Sequence, residues 1–443
     1  AALMPSYIIR SMRKMFSHCL KLSYKDTAQQ NSYVTIPRAT NSFDNTEIVA
    51  NVDEDIIDSL TGGRLVGSVT SFENFAECPL RYYLRYGVDL KEREEFTFSP
   101  VNFGVVLHAV IREVCDEIKK NGESYYLISE EKRREMVKRS VAAITDIYQN
   151  SILKDSSRNS FMIKRMEDLA DRTVWAMGEQ LKCGDFVPFV FEHKFNMEVG
   201  DGDRKQLMSG TIDRVDICEN GIDVYVRIID YKTGKKDFNI VKTYYGIDIQ
   251  LMVYMEAAMK LVAKMRPGKN VIPAGVFYYN ISDPIVSATT ESAEEIEDKI
   301  KGELRLKGMV NSDKDIAEKM DNTGGTSLNI PVSRKADGGF DSRRSKVMNT
   351  EQFNMLGRFV DVRAVDTADR IAGGDIRRSP YKDGQFSSCD RCPYGAVCGF
   401  SVDLPGCNYR KLKKFDDEVL WNNIKEGVDE NGKKMDTGAE ERD

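Results

Sequence analysis

Gly210-Thr-Ile-Asp-Arg-Val-Asp-Ile-Cys-Glu-Asn-Gly-Ile-Asp-Val-Tyr-Val-Arg-Ile-Ile-Asp-Tyr-Lys-Thr-Gly234 is the stretch on which the rest of the chain is organised. Two β-branched, apolar runs flank Asn220-Gly221, the dipeptide best suited to a two-residue type I′ hairpin turn. That turn sets Glu219 opposite Ile222 and therefore Asp213 opposite Ile228. Asp230 then lies two residues further along the same face, with Lys232 beyond it. A diagonal separation of roughly 7–8 Å between backbones lets two short carboxylates converge on one cation. Hard ions such as Mg²⁺ prefer one or two carboxylates and keep positions for water and phosphate oxygens. A lysine beside them is a point charge suited to the attacking water or to the phosphate.

Composition bounds what surrounds this hairpin. A chain of 443 residues, 41% hydrophobic and 30% charged, has room for two or three domains and a sizeable core. It holds no apolar run long enough to span a membrane and no secretory signal pattern. The net charge of −6 argues against a uniformly basic nucleic-acid coat, so DNA contact would come from local patches. Nine cysteines in so long a chain do not suggest a secreted disulfide scaffold; their clustering suggests metal ligation in a reducing cytoplasm. The chain starts at Ala1 and lacks a Gly-rich phosphate loop, so it reads as the C-terminal piece of something larger.

Taken in order, Ser6 to Leu20 is an amphipathic helical stretch, and Ser23 to Gly63 is polar connecting material; His18 and Cys19 stand alone there. Thr70-Ser-Phe-Glu73 has capping-box spacing and opens a helix carrying Phe72, Phe75, Cys78, Tyr82 and Tyr83. Phe103 to Lys119 is a helix with Val106, Val110, Val114 and Ile118 as its apolar stripe; Gly104, His108 and Cys115 lie on a neighbouring face. Gly104 precedes His108 by one turn, where a missing side chain allows close approach of a metal or phosphate. Helices follow at Glu130–Asn150 and Ser160–Lys182, then a strand from Phe186 to Glu198 bearing Glu192 and His193. After the hairpin, Lys235, Lys236 and Lys242 form a basic patch placed to hold a phosphate backbone. Ile247 to Met265 is helical and sets Gln250 and Tyr254 four apart on one face. Val271 to Ile281 is a strand. Residues 283–350 read as a helix and then a mobile, insertion-tolerant loop, and Glu351 to Ala372 as a further helix. Cys389, Cys392 and Cys398 then fall at x₂ and x₅ spacing and need a fourth ligand to make an iron–sulfur or zinc site. Arg410, Lys411, Lys413 and Lys414 are further candidates for phosphate contact. From Glu426 onward the composition is that of a disordered tail.

Asp213 followed by Asp230-Tyr231-Lys232 resembles the Asp…(Asp/Glu)-x-Lys signature of the PD-(D/E)xK nuclease superfamily, in its RecB-type form. Cys78-Pro79, Gly104-x-x-x-His108, Gln250-x-x-x-Tyr254 and the three late cysteines are similar, in that order, to the marks of AddB-type nucleases. The resemblance implies an α/β fold: a PD-(D/E)xK core of mixed sheet and flanking helices, with helical insertions and a cysteine-ligated cluster. The resemblance covers about residues 65–415 and implies a nuclease domain at 67–420, after a segment at 1–66 connecting it to an N-terminal helicase-like region and before a polar acidic tail at 421–443. It implies a Mg²⁺-dependent exonuclease acting on single-stranded DNA and duplex ends in recombinational break repair, paired with a helicase–nuclease partner of AddA type. His108, Asp213, Asp230 and the Tyr231 carbonyl would hold Mg²⁺, with Glu192 a possible outer ligand. Asp213, Asp230, Lys232, Gln250 and Tyr254 would be catalytic. Cys78 would join Cys389, Cys392 and Cys398 around a 4Fe-4S cluster, with zinc the alternative. A non-cutting DNA-end-binding module and a free-standing RecB-family exonuclease are the rival functions.

Overall fold

The computed structural model describes residues 52, 66–91, 100–147, 157–199, 206–287, 291–404 and 407–440. The amphipathic stretch at Ser6–Leu20 and most of the connecting segment lie outside them. The chain divides into two compact units. One is built from 1–94, 198–208 and 363–414, the other from 95–197, 209–362 and 415–443.

The first unit opens with β1 (Val66–Ser68), α1 (Val69–Glu77) and α2 (Pro79–Tyr82), which continues as a π-helical turn at Tyr83–Gly87. The cap of α1 is Ser68, whose hydroxyl accepts from Ser71 N at 3.1 Å, rather than the expected Thr70. Pro79 cannot donate to a continuing helix, so Cys78 turns extended (φ −166°) and splits the single expected helix in two.

The second unit starts with three helices, α3 (Pro100–Lys120), α4 (Glu130–Ile147) and α5 (Ser157–Lys182). The stripe Val106, Val110, Val114 and Ile118 is fully buried, as its 3.6-residue period requires. These helices share one apolar cluster with Tyr225, Ile229, Tyr231 and Phe277 of the sheet, so they roof one of its faces. The sheet contains β2 (Val187–Val199), β3 (Gln206–Asn220), β4 (Asp223–Lys232), β5 (Asn270–Asn280), β6 (Lys307–Asn311) and β7 (Val347–Met348). β2 pairs with β3, and β3 to β7 follow as neighbours in sequence order. The pairs β3–β4 and β5–β6 are antiparallel, β4–β5 and β6–β7 parallel, which makes the sheet mixed. Between β4 and β5 run α6 (Ile240–Tyr244) and α7 (Gln250–Met265), and α7 packs on β4 and β5.

Two expectations change here. The hairpin ladder pairs Asn220 with Asp223 and runs to Arg214 with Ile229, so the tip is Gly221-Ile222, not Asn220-Gly221. Gly221 alone takes positive φ (62°), which fits a type II′ turn, where glycine is needed only at the first central position. Residues 283–350 are not one mobile loop after a helix. After α8 (Ala293–Glu303) they supply β6, α9 (Lys314–Met320) and β7. The loop between α9 and β7 is tied to buried Asp321, which accepts from Thr323 N, Ser327 Oγ and Asn329 Nδ2.

Helix α10 (Thr350–Ala372) leads back to the first unit. There β8 (Tyr381–Asp383), β9 (Phe386–Ser387) and β10 (Arg410–Lys411) form a small sheet, with the one-turn α11 (Gly395–Cys398) between β9 and β10. The last element, α12 (Asp417–Glu440), corrects the disordered tail: buried Leu420 and Ile424, one turn apart, seat its start. Among the described residues no helix is long and apolar enough to cross a membrane.

Candidate active site

The register shift at the hairpin tip moves the pairing by an even number of residues, so no side chain changes face. The ladder continued by one step from Arg214–Ile229 brings Asp213 opposite Asp230, closer than the expected diagonal. Asp213 is 7% exposed and Asp230 3%. Asp213 Oδ2 accepts from Tyr231 N at 2.6 Å, which fixes its rotamer and leaves Oδ1 for other partners.

His108, on the face of α3 toward the sheet, reaches that oxygen. Its Nδ1 lies 3.3 Å from Asp213 Oδ1 and 3.7 Å from Glu192 Oε1. Burial alone would pull the imidazole pKa down, but hydrogen bonds to Asp213 and Glu192 and their charges lift it to about 10. Glu192 stands in strand β2 with φ 47°, a left-handed backbone that a non-glycine residue adopts at a cost. Ligand atoms of His108, Glu192 and Asp213 lie within 4.8 Å of one another, a set able to hold a metal ion. A Cβ at Gly104 would meet Thr233 only at ordinary contact distance (3.6 Å), so protein crowding does not demand the glycine there.

On the other side of Asp230 is a line of polar contacts. Lys232 Nζ lies 2.6 Å from Asp230 Oδ2 and donates to Gln250 Oε1 at 2.9 Å, and Gln250 Nε2 donates to Tyr254 Oη at 2.9 Å. The Lys232 ammonium is the ion-pair partner of the buried Asp230 Oδ2. Burial, and next the charge of Asp213, push the Asp230 carboxyl up to about 7. A bound cation would relieve both effects, and the donor set of two carboxylates, a third in range and one imidazole fits a hard divalent ion. Gly210 belongs to the same arrangement: a Cβ there would come within 2.7 Å of the Phe195 ring and 3.0 Å of Tyr254.

The basic patch divides. Lys235 is exposed and Lys242 partly so, while Lys236 Nζ is drawn to buried Asp248 at 3.0 Å and lies 4.5 Å from the Tyr278 ring centre. Tyr278 Oη donates to the same Asp248 oxygen at 2.6 Å. The sequence reading puts Asp248 inside the helix expected from Ile247, whereas the helix begins at Gln250, so this partnership is not visible in the sequence.

In the first unit, Cys78, Cys389, Cys392 and Cys398 line one pocket with Leu80, Leu84 and Phe400, and Cys407 is not among the lining residues. Burial pushes the thiols of Cys78, Cys389 and Cys398 above their ordinary range.

A mixed sheet flanked by helices, with two carboxylates and a lysine at the end of a hairpin, defines a class of metal-dependent nuclease. The family model of the PD-(D/E)XK nuclease superfamily matches residues 67–399, and the chain belongs to that superfamily. Among curated proteins, it is similar to the AddB-type subunit of the ATP-dependent helicase/deoxyribonuclease of Thermoanaerobacter sp. (strain X514), at 33% identity over 83% of this chain and 33% of the relative. The proteins of the same name from Lachnoclostridium phytofermentans and Clostridium acetobutylicum are 33% and 34% identical over 88% and 87% of this chain, and 34% of each relative. The chain spans about a third of the length of the curated relatives it matches.

Proposed function

We propose that this chain is the nuclease part of a helicase–deoxyribonuclease subunit of AddB type. On this reading it hydrolyses phosphodiester bonds of unwound single-stranded DNA during recombinational break repair, beside a helicase–nuclease partner of AddA type. The observation that carries the reading is the convergence of buried Asp213 and Asp230 beside Lys232, with His108 and Glu192 within ligand distance of Asp213. A non-cutting end-binding module would have no use for two buried carboxylates set opposite each other.

His108, Asp213, Asp230 and the Tyr231 carbonyl would hold Mg²⁺, with Glu192 in range. The ion would supply a Lewis acid that neutralises phosphate charge and acidifies water. Lys232 directs its ammonium at the phosphate and the attacking water, and Gln250, held by Tyr254, keeps that ammonium in line. Lys235, which is exposed, meets the strand's phosphates, and Lys236 does so only by leaving Asp248.

Four thiols around one apolar pocket are the donor set of a 4Fe-4S cluster, with zinc the alternative.

Incubating the purified protein with end-labelled single-stranded DNA tests the function. Short products with Mg²⁺ and none with EDTA are expected. Firm binding to DNA ends without cleavage under any divalent ion would favour the non-cutting module instead.

A further inference from the structure

Directly behind the two carboxylates lies a group of charges that amphipathic patterning does not reveal. Arg214, Asp216 and Arg227 are 1%, 0% and 1% exposed. Arg214 Nε and Nη2 donate to the two oxygens of Asp216 at 2.7 and 2.6 Å, and Arg227 Nε donates to Asp216 Oδ2 at 2.9 Å. Arg227 also stacks over the Phe186 ring at 4.8 Å and feels the buried carboxylate of Asp321. Strand alternation puts Arg214, Asp216, Arg227 and Tyr231 on the face opposite Asp213 and Asp230.

Stability alone does not account for such a group. Replacing a buried ion triad by apolar side chains of similar volume is often neutral or stabilising. What the triad touches is more informative. Arg214 lies opposite Ile229, so Tyr231 is its diagonal neighbour on the same face, and the guanidinium charge acts on the Tyr231 hydroxyl, which also sits 4.0 Å from Met177 Sδ. The same tyrosine packs edge-on against His108, with ring centres 6.0 Å apart, and its N–H holds Asp213 Oδ2. One residue therefore contacts both His108 and Asp213, and its far end lies beside the triad on the same face.

We infer that Arg214, Asp216 and Arg227 are positioning residues, a buried brace that acts through Tyr231 to set Asp213 and His108 for the metal ion. This rests on the metal-site reading above. The guanidinium fork of Arg214 bonds the planar carboxylate at two points and so fixes an orientation that an apolar pair would leave free. Outer partners that orient metal ligands typically change metal affinity 10- to 100-fold when removed.

The test uses the full chain in two variants. Arg214→Met/Asp216→Leu/Arg227→Met removes every charge of the triad while keeping its volume, and Tyr231→Phe removes a single hydroxyl. Mn²⁺ binding without DNA is read by electron paramagnetic resonance, the thermal midpoint by calorimetry, and kcat and KM by cleavage of single-stranded DNA. The triple variant is expected to keep the wild-type midpoint and KM for DNA, bind Mn²⁺ about 10- to 100-fold more weakly, and lose kcat at fixed metal. Tyr231→Phe is expected to weaken Mn²⁺ binding about 3- to 10-fold. Wild-type Mn²⁺ affinity in a folded triple variant overturns the brace. If that variant does not fold, wild-type affinity in Tyr231→Phe overturns it equally. A wild-type protein that binds no Mn²⁺ fells the metal-site reading itself, and the inference with it.

Discussion

Replacing Gln250 with alanine tests how the lysine is aimed. The Lys232 ammonium contacts Asp230 Oδ2 at 2.6 Å and Gln250 Oε1 at 2.9 Å. Gln250 in turn donates to Tyr254 Oη at 2.9 Å, and the two are 8% and 6% exposed. A hydrogen bond to a charged donor contributes about 1.5–3 kcal/mol. The Lys232 side chain keeps 27% of its exposure, so water recovers part of the loss and the lower half of that range applies. About 1.5–2 kcal/mol, at 1.36 kcal/mol per tenfold, is a fall in kcat of about 10- to 30-fold. Tyr254→Phe loosens the same amide at one remove and should lower kcat about 2- to 5-fold. The double variant should lose no more than Gln250→Ala, because both act on one line of contacts. The assay is the initial rate on labelled single-stranded DNA at saturating Mg²⁺, with DNA affinity read separately in Ca²⁺ by anisotropy. A wild-type kcat with weakened DNA affinity would mean that the amide grips the strand and not the lysine, and fully additive losses would break the line of contacts.

Three further outcomes follow from the same structure. Burial works against the Asp216 carboxylate, but the charges of Arg214 and Arg227 and their hydrogen bonds hold its pKa below the ordinary range. A depressed folded pKa contributes stability present above the unfolded value of about 3.9 and lost as pH falls through the folded one. Denaturation below about pH 4 should therefore steepen for the wild type relative to Asp216→Asn, which is itself about 3–5 kcal/mol less stable at neutral pH; equal slopes would contradict this. His108→Ala should raise the Mg²⁺ needed for half-maximal cutting about tenfold; early melting with normal cutting at saturating Mg²⁺ would make the histidine a packing residue. Serine at Cys78, Cys389, Cys392 or Cys398 should remove iron and acid-labile sulfide from anaerobically purified protein while Cys407→Ser keeps both, whereas one tightly held zinc in the wild type would refute iron.

Much of this site was legible because its residues sit on regular elements. Period-2 alternation carries Asp213, Asp230 and Lys232, and period-3.6 spacing carries His108, Gln250 and Tyr254; neither depends on the details of packing. The turn differs by one residue from its sequence reading because Asn-Gly and Gly-Ile tips satisfy the same local rules, and only the even shift preserved the faces. Strands β6 and β7 escape a sequence reading because they are short and lie between polar, glycine-rich segments. Gly308 shows what sequence could not: a Cβ there would lie 1.9 Å from the Val276 carbonyl oxygen, so the glycine reads as a loop signal but marks close strand pairing. The links from Arg214 to Tyr231 and from Lys236 to Asp248 join positions whose contact exists only once the sheet is assembled. The left-handed backbone at Glu192 has no residue-type signal at all, since glycine would be the usual occupant.

The most direct test of the nuclease site is Mg²⁺-dependent cleavage of single-stranded DNA by Asp230→Ala and Lys232→Ala beside the wild type. The geometry predicts that both variants fold, bind DNA with nearly wild-type affinity and cut at background rate. Strong residual cutting by both would contradict it.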